Sequence, residues 1–104
     1  MIGEAVAKAV FWHRDLPPLD AEAIGEHTME AASAHVRGMI GHRDELWDHC
    51  YQDLMHQTGR RLEQEIKRLG GRYARVLGEK IEPRHDEVKD EGWLYGRFTY
   101  ELYR

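Results

Sequence analysis

A single cysteine, Cys50, occurs in the chain, so no internal disulfide can form. With no second Cys beside it and no HExxH pattern, the sequence lacks the usual metal signatures, and no metal is expected. A basic run is also missing. The 15 Lys and Arg are interspersed among 19 Asp and Glu, for a net charge of -4, which argues against a nucleic-acid partner. No apolar stretch approaches the roughly 20 residues a membrane span requires. The opening segment MIGEAVAKAVFWHRD carries an acid where a secretory leader carries bases, and its apolar run is short, so a cytoplasmic location is expected. Gly38, Gly41, Gly70 and Gly71 fit no phosphate-binding spacing, and no cofactor is expected. The only serine, Ser33, sits in EAASAHV, which is no nucleophile elbow. Internal repeats, low-complexity tracts and linkers are likewise missing.

What is present fits one ordinary globular domain spanning residues 1–104, 41% hydrophobic and 33% charged. A chain of this length buries roughly 60–70% of its unfolded surface, enough to fold without a metal or disulfide. Its organising stretch is Gly41 to Gly71. Leu46, Trp47, Cys50, Tyr51, Leu54, Thr58, Leu62, Ile66 and Leu69 gather on one side at about 100° per residue, predicting a long amphipathic helix over about 42–70. Asp44 and Glu45 near its start and Lys67 and Arg68 near its end suit the helix dipole. Gly70-Gly71 is the stop signal.

Strands are predicted on both sides of this helix. Residues 4–14 read as one, with Val6, Val10 and Trp12 on one face and Ala5, Ala7, Ala9 and Phe11 on the other; Pro17 and Pro18 end it. Residues 20–36 present a conflict. Local propensity favours a helix capped by Asp20, whereas a second long strand would complete a hairpin matching the length of the helix. The strand is preferred. Residues 72–83 read as a strand in which Val76 and Ile81 have opposite parity, which places a bulge at Gly78. Residues 84–92 read as a charged hairpin tip. Residues 93–103 form the clearest strand, with Leu94, Gly96, Phe98, Tyr100 and Leu102 on the face assigned to the helix. Gly96 is placed where the helix backbone would approach closely. The expected fold is α+β: a two-layer sandwich of an antiparallel sheet and one helix, ordered β-β-α-β-β, with β-α-α-β-β as the alternative.

Seven histidines suggest proton or metal chemistry. His42, His49 and His56 recur every seven residues and, with Glu45 and Asp53, form a ladder on the solvent side of the helix. Seven residues span about 10 Å of helix, too far for one ion. Glu26, His27, Glu30 and His85 are candidate ligand contacts, since acids beside a histidine can move protons where a pocket shifts their pKa. His85 and Asp86 adjoin in sequence, which does not by itself orient an acid–base pair. Cys50 falls on the apolar side of the helix and reads as a buried thiol.

The feature carrying most functional weight is the other side of the last strand. Trp93, Tyr95, Arg97 and Tyr103 lie there, and one helix covers only one side of a sheet. Trp12, with Val6 and Val10, is expected to extend this surface. The expected function is non-enzymatic self-association through it, with a dimer favoured. The alternative is a small-molecule binder or enzyme whose His/Glu groups lie above an aromatic floor, or a histidine-based metal binder.

Overall fold

Leu46, Cys50, Leu54, Thr58, Leu62 and Ile66 are all buried in α1 (Arg43–Leu69). They are spaced four apart, so the buried row swings about 40° per step around the helix. A twisted sheet offers a surface that turns with it. Tyr51 drops out of the expected stripe and is 42% exposed. The computed structural model describes residues 8–38 and 43–104; Val6, His42 and Gly41 lie outside these.

The layer beneath the helix contains β1 (Val10–Trp12), β2 (Ala23–Ala32), β3 (Val36–Arg37), β4 (Tyr73–Asp86) and β5 (Glu91–Tyr103). The fold of the described residues is therefore α+β, one helix packed on a five-stranded sheet in two layers. Residues 20–36 do supply a strand, because β2 finds a ladder along β5 from Tyr95 to Tyr103. Tertiary pairing outweighs the helical propensity of its alanines and glutamates.

Three features differ from expectation. The sheet is mixed, since β1 pairs parallel to β4 over Val10–Trp12. β1 and β2 form no hairpin; the order β1-β4-β5-β2 sends them to opposite edges, with β3 paired to β5 beyond the end of β2. The charged tip is also shorter than 84–92, since pairing runs out to Asp86 opposite Glu91 and leaves residues 87–90 as the turn.

The register of β4 on β5 shifts between Val76 and Gly78, where Leu77 is the extra residue. The shift puts Val76 and Ile81 on the same side despite their opposite parity. Ala74, Val76, Leu94, Phe98, Tyr100 and Leu102 then join Met29, Ala31 and the helix row in one core. Gly96 serves a purpose other than helix approach. A Cβ there would lie 2.6 Å from the Phe98 ring, which covers the glycine on the same strand face.

Between β2 and β3 the chain leaves the ladder at Ser33, which stays buried. Its N–H donates to the Leu94 carbonyl at 2.9 Å, and its Oγ accepts from the Leu94 N–H at 2.9 Å. Asp53 Oδ2 accepts from the Ala34 N–H at 2.6 Å. Asp53 thus fastens this link to the helix and is no free rung of the solvent ladder. His49 and His56 are exposed.

Candidate functional site

Cross-strand partners point to the same side of a sheet, so the register assigns the faces. The side away from the helix carries Trp93, Tyr95, Arg97, Thr99, Glu101 and Tyr103 from β5. Beside them stand Glu26, Thr28 and Glu30 from β2 and Arg75, Lys80, Glu82 and Arg84 from β4. Trp93, Tyr95 and Tyr103 are each half-buried, and Arg97 is exposed.

Trp12 is not part of this surface. It pairs with buried Val76 and meets the Phe98 ring edge-on at 6.2 Å, which places it on the helix side with Val10. Phe11 takes the open side instead, 9% exposed, edge-on to Tyr73 at 5.9 Å. Parallel pairing with β4 fixes this parity, and the isolated sequence of β1 carries no trace of it.

The rings on the open side have partners from their own chain. His35 stacks on Trp93 at 3.9 Å with 10° between planes, and His35 Nδ1 lies 3.1 Å from Glu91. The Arg84 guanidinium stands 4.0 Å over the Tyr95 ring while bonding Glu82 at 2.8 Å. That bond holds the Glu82 carboxyl below the usual range. Hydrogen bonding to Glu30 raises the Tyr95 phenol pKa. Burial raises that of Tyr103, whose hydroxyl also donates to Glu101 at 2.9 Å. His35 carries no signal of this role in the sequence, because its place depends on the Ser33–Asp53 link, which turns the chain back over Trp93.

The candidate ligand groups are divided between the two sides. Glu26 and Glu30 share the face of Trp93 and Tyr95. His27 lies opposite Tyr100 on the helix side and stacks on its ring at 5.6 Å. His85 pairs with Gly92 on the helix side, with Asp90 at 3.6 Å. Cys50 is buried and free, its Sγ 3.8 Å from the Ala34 carbonyl. A shallow hollow of about 450 Å³ on the helix is lined by Trp47, Asp48, Tyr51 and Gln52.

The open side can make planar, amphipathic contacts and match charge, since its acids concentrate on β2 and its bases on β4. Among the described residues no helix is long and apolar enough to cross a membrane. Comparison with protein-family models, curated proteins and solved structures finds no match.

Proposed function

We propose that the chain is a non-enzymatic cytoplasmic module that associates with a second copy through its open sheet face. The observation supporting this is the row of half-buried rings Trp93, Tyr95 and Tyr103 on β5, flanked by acids on one strand and bases on the other. Aromatic side chains with a polar handle suit such a contact. A two-fold axis along β5, in the plane of contact, carries β2 of one copy over β4 of the other. Glu26 and Glu30 then approach Arg75 and Lys80, and the surface is complementary to itself.

The pocket reading has less support, because His27 and His85 are on the opposite side from Glu26, Glu30 and the rings. Light scattering and sedimentation test the association. The expected result is a mass that rises toward a dimer with concentration, and a shift toward monomer on Tyr95→Glu or Trp93→Glu with the fold retained. A strict monomer at high micromolar concentration overturns it.

A further inference from the structure

We propose that the outer edge of β2 accepts an extended, basic segment of another protein as an added strand. The backbone fixes which groups point outward. The Leu94 N–H and C=O both turn to Ser33 on the β2 side, whereas the Tyr103 C=O turns to Arg72 on the β4 side. Backbone groups alternate along a strand. Residues of β5 with the parity of Leu94 therefore bond β2, and those with the parity of Tyr103 bond β4. Glu26, Thr28 and Glu30 stand opposite Glu101, Thr99 and Arg97, of Tyr103 parity. Their own N–H and C=O groups point away from β5, and β2 ends the strand order, so among the described residues no further strand lies beyond them.

The far edge of the sheet is closed by contrast. β1 covers Ala74–Val76, Leu77 bulges, and Pro83, opposite Leu94, turns its missing donor outward. One edge is blocked three times, while the other offers a ladder along β2. Such an edge takes an added strand through main-chain bonds, with side chains supplying selectivity.

Charge selects the partner. Glu26 faces Glu101 across β5, an acid against an acid, and makes no ion pair among the described residues. Glu30 adds a second acid two positions beyond Thr28 on the same side. A lysine or arginine opposite Glu26 would relieve this crowding, and one opposite Glu30, which already has Arg97 on its β5 side, would add an attraction. A second copy of β2 is a poorer occupant, because antiparallel pairing centred on Thr28 sets Glu26 against Glu30 twice.

Amide hydrogen exchange followed by NMR, with a peptide of alternating lysine and valine as the probe, tests the proposal. Slowed exchange is expected at the Glu26, Thr28 and Glu30 amides on adding peptide. Thr28→Pro, which removes an outward donor and leaves the β5 ladder intact, should abolish binding. Glu26→Lys with Glu30→Lys should weaken it roughly tenfold, and this variant stands if the proline variant does not fold. Binding that survives these changes, or that shifts the Trp93 and Tyr95 resonances while the three amides keep exchanging, overturns the proposal. So does protection that grows with protein concentration alone, which would assign the edge to a second copy.

Discussion

Tyr100 is fully buried, and its hydroxyl has no hydrogen-bond partner among the described residues. Glu65 is close enough to act on it electrostatically, but two 2.8 Å bonds engage that carboxylate with Arg68. Removing an unpartnered hydroxyl loses no bond, so Tyr100→Phe should keep or raise stability, by less than about 1 kcal/mol. Chemical denaturation measures it, and a loss of several kcal/mol would mean the hydroxyl is bonded after all. The same substitution should alter the response to base. Burial raises the Tyr100 pKa, so above about pH 10 the unfolded chain ionises while the folded one keeps its proton. The stabilisation is whole below that pH and declines as pH climbs. Tyr100→Phe should flatten the alkaline slope without abolishing it, because Tyr95 and Tyr103 are shifted the same way. Ser33 is the opposite case. Ser33→Ala leaves the buried Leu94 N–H without its acceptor, and a loss of about 1–3 kcal/mol is expected.

At the scale of elements, the end of α1 shows local sequence and packing acting together. Gly70 has φ +77°, and its N–H donates to the Lys67 carbonyl at 3.3 Å, while the Gly71 N–H donates to that of Ile66 at 2.9 Å. This is a Schellman ending, and the paired glycines announce it in the sequence. The requirement at Gly71 is not legible there. A Cβ at Gly71 would sit 2.6 Å from the Leu102 side chain and 2.8 Å from the Tyr103 carbonyl oxygen, whereas one at Gly70 meets nothing. Gly70→Ala carries the left-handed backbone penalty of about 1–2 kcal/mol; Gly71→Ala should cost more, because a strand backbone must shift. Comparing the two melting midpoints checks this order. Gly59, inside α1, has open space where a methyl group would stand and no left-handed φ. Gly59→Ala should therefore stabilise by about 0.5–1 kcal/mol.

For the whole molecule, the proposed dimer brings β2 acids over β4 bases, so its affinity should fall as salt rises. Sedimentation at low and high ionic strength measures this; affinity that is flat or rising with salt would point to the rings as the dominant contact. The long helix, the β5 faces and the bulge in β4 were legible because each follows from periodicity within one segment. Burial of Leu94, Phe98 and Leu102 needs only alternation, and Val76 against Ile81 reveals the shifted parity on its own.

The sequence by itself determined the long helix, the strands β4 and β5 and which side of β5 turns to the core, because short-range patterning encodes them; over β2 the local pattern favoured a helix, and pairing with β5 decided the strand. Only the tertiary structure decided that β1 runs parallel beside β4, that Trp12 rather than Phe11 meets the core, and that His35 covers Trp93. Those outcomes join residues far apart in the chain, and the free energy that selects them arises from pairing and packing that no local pattern contains.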